Sequence, residues 1–336
     1  MANRVVSTTN KKLLAGVVDQ ILGSNVFATR MLASAKKWSG ETIRKAVKVS
    51  KNTNGGSFDG FDTFSTSASD TRRVLEFAAK FYEKGVTIPL TELSINQADP
   101  SRIADLAKME LESSAEDMAD DIGTIFYGDG TGNSSKDFLG LEAIVDDGTN
   151  AAIYGGLTRS SYDTLDSTVT ASGGALTLAK MATLYNAVSS GSVKTTAAYC
   201  TETIFSLYEQ LLQPQERIMK DVGFMKGVTG GTGFTALTYK GFPILADEKA
   251  TSGVLYFLNE NFIEWRALPV AKTMPIDFQV KLEGNDYNGV KGLGFSWSDW
   301  IIPSNQGSVI GHLYLGGELW SSAPNKQGKL TGVTGV

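Results

Sequence analysis

The stretch DPSRIADLAKMELESSAEDMADDIGTIFYGDGTGNSSKDFLGLEAIVDDGT, residues 99–149, decides the architecture. Asp99 is a favourable N-cap, and Pro100 suits the first helical position, where its missing N–H costs nothing. Ile103, Leu106, Ala107, Leu111, Ala115, Met118, Ile122, Ile125 and Phe126 then recur at helical spacing and form one apolar stripe. Glu110, Glu112, Glu116, Asp117, Asp120 and Asp121 mostly face elsewhere. The pattern stops at Gly128. About 28 residues at ~1.5 Å each give a rod of about 42 Å, longer than most globular helices and suited to crossing a whole domain.

N-terminal to this rod the pattern changes twice. Residues 10–24 predict a short helix, with Leu13, Leu14, Val17, Val18 and Ile21 on one side. That helix cannot bury its own apolar side and needs a surface in the same chain or in another copy. Residues 40–51 then alternate as a strand, Ile43, Val47 and Val49 on one face and Arg44 and Lys48 on the other. Residues 52–70 are rich in Gly, Ser, Thr and Asp and carry Phe58, Phe61 and Phe64. A second extended run over 71–89 places Leu75, Phe77, Ala79 and Phe81 together, which predicts a long two-stranded arm with an aromatic tip. An isolated hairpin is marginal in water. The tip reads either as a contact with a partner or as an ordinary mobile loop with half-exposed aromatics.

C-terminal to the rod, residues 140–175 read as loops with short strands, followed by a helix from about Thr177, a buried strand over 197–200 and a helix over 202–213. A glycine-rich loop over 227–234 and strands over 235–239, 242–246 and 254–258 complete a second, α/β unit. Strands are predicted over 276–283, 293–301 and 308–320, and GKLTGVTGV (328–336) reads as a small polar tail.

Composition is that of an ordinary folded protein: 42% apolar, 20% charged, with 36 glycines and a net charge of −5. The charge is uneven. Residues 1–51 hold ten Lys/Arg against Asp19 and Glu41, a net of +8, leaving 21 basic and 34 acidic residues, or −13, on the rest. A basic arm on an acidic body suits a negatively charged partner or an acidic neighbouring copy. No apolar run reaches the ~20 residues of a membrane span. The N-terminal MANRVVSTTNKK lacks a secretory h-region, and the one cysteine, Cys200, has no internal disulfide partner.

Residues that carry chemistry are few. His312 sits in an apolar strand and reads as a core or half-buried histidine, and Cys200 reads as an inert buried thiol. Asp120-Asp121 and Asp146-Asp147 read as solvated acidic faces. GDGTGN (128–133) follows a helix instead of preceding one, and GVTGGTGF lacks the Lys-Ser/Thr of a P-loop. No metal-ligand spacing is present. The residues therefore predict no catalytic site, no cofactor and no metal.

The order of basic arm, long hairpin, capped rod, α/β unit and returning strands resembles that of tailed-bacteriophage major capsid proteins of the Hong Kong 97-type fold. The strings at 99–149, ENFIEWRALP (260–269) and LGGELWSSAPNKQGKLTG (315–332) carry the resemblance. It implies an α+β subunit with an N-terminal arm (1–35), an E-loop hairpin (36–95), the spine helix of a P-domain (96–139), an A-domain (140–272), and P-domain strands with a C-terminal tail (273–336). It further implies a shell of hexamers and pentamers around packaged double-stranded DNA, touched non-specifically, made in a bacterial cytoplasm with a scaffolding protein and a portal. The inter-subunit contacts would be Phe58, Phe61 and Phe64 at the tip and Leu13, Leu14, Val17, Val18 and Ile21 on the arm. No long helical segment precedes residue 1, so the scaffold is expected to be separate or absent. The tip, 53–69, has no lysine, which argues against a covalent crosslink there. The alternatives are an encapsulin-type nanocompartment shell, a tail or decoration protein, or an uncharacterised enzyme.

Overall fold

The structure is a computed structural model that describes residues 25–92, 100–212, 237–271, 274–275, 294–298 and 300–335. The helix predicted over 10–24, with Leu13, Leu14, Val17, Val18 and Ile21, lies outside the described residues. So do the loop over 227–234 and the strand over 276–283.

Two six-stranded sheets share the chain. The first runs β1 (Lys36–Lys37), β12 (Ile263–Ala267), β15 (Ser308–Ser321), β14 (Phe295–Trp297) and β13 (Met274–Pro275), with β4 (Lys80–Pro89) also paired to β15. The second runs β7 (Thr168–Ala175), β16 (Gly328–Gly335), β11 (Leu255–Leu258), β8 (Ala197–Cys200), β10 (Phe242–Ala246) and β9 (Leu237–Tyr239). Smaller ladders join β2 (Thr42–Lys48) to β3 (Arg72–Ala78) and β5 (Ile153–Tyr154) to β6 (Leu157–Thr158). The longer helices are α1 (Val26–Ala33), α2 (Pro100–Tyr127), α3 (Leu178–Val188) and α4 (Glu202–Leu212).

The rod is α2, and among its described side chains Leu111, Met118, Ala119, Ile122, Phe126 and Tyr127 are buried. At its C-terminal end Phe126 meets Trp265 of β12 at 5.3 Å, and Phe138 meets the same indole edge-on at 5.1 Å. The chain turns back there through a tight crossing: a Cβ on Gly140 would lie 2.3 Å from the Gly128 carbonyl oxygen and 2.5 Å from that of Ile125. In α3 the Thr177 hydroxyl accepts from the Lys180 N–H, capping the helix where the sequence predicts it to begin.

The second sheet is covered on both faces, which explains its unbroken apolar strings. Ala197 and Tyr199 of β8, with Tyr256 and Leu258 of β11, face α1 and α2. Ala198 and Cys200, with Leu255 and Phe257, face α3 and α4. Alternation survives, but both sides are dry.

Three expectations are corrected. Residues 328–335, read as a polar tail, form β16, hydrogen-bonded between β7 and β11 with Leu330 fully buried. Small residues suit a strand whose neighbours crowd it: Gly328 leaves room for Leu184 and Val188. Residues 25–35, expected to be arm, are core. Phe27 of α1 packs on Phe126, Tyr127 and Tyr199, and its N–H donates to Asp247 Oδ2 at 2.8 Å. The third concerns the arm. Its ladder covers only Thr42–Lys48 against Arg72–Ala78, after which β4 leaves to run ten residues along β15. The break at Ala79 flips parity. Leu75 and Phe77 point inward on β3, Val86 and Ile88 inward on β4, so Phe81 turns outward and is 51% exposed.

Candidate functional site: an exposed arm

The arm projects from the first sheet, anchored at its root by Leu75, Phe77 and Ile43, which pack with Tyr154 and Trp320. Beyond Val49 the chain carries no buried residue until it returns at Thr71. In this tip Phe58 and Phe64 meet edge-on at 5.0 Å. They remain 67% and 68% exposed, and Phe61 is fully exposed. Three exposed phenylalanines within seven residues of glycine-rich loop form an apolar patch that this chain does not cover.

The strands of the arm are basic. Lys45, Lys48, Lys51 and Arg72 are exposed, while Arg44 pairs with Glu76 at 3.1 Å. Lys48 and Arg72 stand directly opposite in the ladder, a like-charge pair that an acidic neighbour would relieve. An open cleft of about 440 Å³ lies at the tip's base between Lys48–Lys51 and Ser161–Thr164.

Groups that could carry chemistry are dispersed. Cys200 is fully buried, and burial pushes its thiol up to about 12, which leaves it protonated and inert. His312 is half-buried on β15, its Nδ1 3.1 Å from a Glu83 carboxylate oxygen, far in sequence and sheet from Cys200. Asp120 is ion-paired with Lys249. Asp121 accepts from the Tyr82 hydroxyl at 2.6 Å and Lys84 at 2.8 Å, tying α2 to β4. Asp146 corrects the solvated-face reading, for it is buried. Its Oδ2 accepts from the N–H groups of Gly148, Asn150 and Ala151 at 2.9–3.0 Å, and its Oδ1 lies 3.8 Å from buried Lys329. Among the described residues no three His, Cys, Asp or Glu side chains gather as a metal site. No described helix is long and apolar enough to cross a membrane.

Sequence reasoning missed Val74, Ile153, Ile301 and Ile302, which are exposed apolar side chains, and the buried charges Arg159, Glu318 and Lys329. Glu318 and Lys329 lie inside apolar or glycine-rich strings, and nothing local separates a buried charge from a solvated one.

No family model matches the chain, and no curated protein matches it. Solved structures do. The chain is similar to the cyanophage A-1(L) capsid subunit, with a TM-score of 0.67 and 13% identity over 93% of each chain. It is similar to the SrpI encapsulin of Synechococcus elongatus PCC 7942, with a TM-score of 0.58 and 13% identity over 91% of this chain and 87% of that one. It is also similar to the capsid of Myoviridae phage XM1, with a TM-score of 0.53 and 12% identity over 91% of both. At such identity the likeness speaks to architecture, and over nearly the full chain it is the same architecture: a mixed α+β protein with the Hong Kong 97-type fold of capsid and encapsulin subunits.

Proposed function

We propose that this chain is a major capsid protein whose copies assemble into an icosahedral phage head around packaged double-stranded DNA. The observation that carries the reading is the arm, whose aromatic tip leaves three phenylalanines exposed on a chain with a shell-subunit fold. In this reading the arm is the E-loop, and α2 is the spine helix of a P-domain that includes the first sheet. The second sheet with α3 and α4 is the A-domain, to which β16 belongs. Hexamers and pentamers of this chain make the shell. Phe58, Phe61 and Phe64 lie on an adjacent copy, as do Leu13, Leu14, Val17, Val18 and Ile21. Apolar burial at ~25 cal/mol per Å² over several such contacts stabilises the lattice though each is modest. Charge pairing of the basic arm with acidic neighbours sets register. A scaffolding protein, a portal and non-specific contact with DNA complete the partners. The role is structural, its place is the virion, and the protein is made in the bacterial cytoplasm.

Negative-stain imaging of the purified protein should show closed shells, and a monodisperse monomer would overturn the reading. Replacing Phe58, Phe61 and Phe64 together by Ser should leave free subunits or capsomers, whereas normal shells would remove the tip from the interface. The encapsulin likeness supports a second reading, a nanocompartment. Shells that copurify with an enzyme instead of nucleic acid would favour it.

A further inference from the structure

The junction where the arm leaves the body is built around one buried carboxylate. Glu318 of β15 is only 2% exposed. Its Oε1 accepts from the Leu139 N–H at 2.6 Å and from the Leu319 N–H at 3.2 Å. Its Oε2 lies 3.7 Å from Lys80 Nζ, the first residue of β4 after the arm. Lys80 in turn donates to the Asp137 carbonyl. One side chain therefore meets the root of the arm, the loop that follows α2, and the central strand of the first sheet.

We propose that Glu318 is a proton-controlled clasp on this junction, tight when its carboxyl is protonated and loosened when it is ionised. The other charged groups nearby are committed elsewhere. On β12 its ladder partner is Arg266, whose guanidinium is held by Glu264 at 2.8 Å. On β5 the Tyr154 hydroxyl is engaged by the Ser321 backbone at 2.8–2.9 Å. On the loop, Asp137 offers its carbonyl to Lys80 and not to Glu318. Among the described residues Lys80 is the cation that faces the carboxylate, and at 3.7 Å it compensates the loss of water only in part.

Burial pushes the Glu318 carboxyl up to about 7, with Lys80 and the two backbone N–H groups pulling down without offsetting it. A junction that opened to solvent would return the group to its ordinary value of 4.5. The closed form thus binds the proton more tightly. Closure is favoured fully below the ordinary carboxylate range, and that advantage is lost as pH rises toward 7. Within that window each pH unit changes the ratio of closed to open by up to about tenfold.

Hydrogen exchange followed by mass spectrometry on peptides spanning 136–142 and 316–322 tests the idea. After correction for intrinsic rates, protection in the unmodified protein should fall severalfold to about a hundredfold from about pH 5 to about pH 8. Glu318→Gln keeps the accepting oxygen without the titration, so its protection should not vary with pH. Lys80→Met removes the cation and should move the transition to higher pH, a second readout if Glu318→Gln fails to fold. Equal protection at both pH values in the unmodified protein, a Gln variant that tracks it, or an unmoved transition in the Met variant would each overturn the proposal. Subunits and shells serve equally, so failure here leaves the assembly reading untouched.

Discussion

Arg159 shows what one residue can hold. It is fully buried, with its guanidinium 4.8 Å from the Tyr154 ring centroid. It donates to the carbonyls of Ala143, Ile144, Asp146 and Leu165. Burial pulls the group below its usual range, with Tyr154 and Asp146 opposing. Removing the donors while keeping the volume should be costly, because each carbonyl left dry and unpaired costs about 1–3 kcal/mol. Arg159→Met should therefore destabilise the chain by about 3 kcal/mol or more, read as a lowered urea midpoint. An unchanged midpoint would show that water replaces the guanidinium. The sequence offers no hint of this role, since residues 140–175 read only as loops with short strands. Cys200 and His312 were legible, the thiol inside AAYC as buried and the imidazole on its strand as half-buried.

Elements were legible where their periodicity was long. The start of α2 at Pro100 and its end before Gly128 follow from helix-terminus chemistry and from an apolar stripe sustained from Ile103 to Phe126. What periodicity could not register is the close crossing that follows. Gly140 must pass against the backbone of Ile125 and Gly128, and backbone atoms cannot step aside. Gly140→Ala should cost about 3 kcal/mol or more through overpacking, seen as a lower thermal midpoint or loss of soluble protein. Gly55→Ala at the arm's tip, where an added methyl meets nothing within 4 Å, should leave the midpoint unchanged. The arm taught the same limit differently. Its two runs were recognisable as strands, but a single irregular residue at Ala79 reverses which face is inward. The alternation of Phe77 and Phe81 looks continuous in the sequence and is not continuous in space.

At the scale of the whole molecule the C-terminal strand decides most. β16 lies between β7 and β11, and its partners Val169 and Leu255 come from positions far up the chain. A chain ending at residue 327 should lose the seam of the second sheet, expose the pocket filled by Leu330 and Val333, and fail to fold cooperatively. Circular dichroism and solubility would report this, and a stable truncated protein would show that β7 and β11 can close on each other. Small polar residues offered no warning, because a strand flanked on both edges draws its stability from its neighbours' hydrogen bonds and side chains.

Sequence alone determined the parts: a long amphipathic rod, an arm of two strands with an aromatic tip, an α/β unit, and few groups for catalysis. These depend on periodicity, caps and turn residues, which act between near neighbours. Tertiary structure alone decided that residues 25–35 are core, that the last strand completes the second sheet, and that Asp146, Arg159, Glu318 and Lys329 are buried. Those outcomes depend on which distant segments exclude water from one another, and that is not a property of any local stretch of chain.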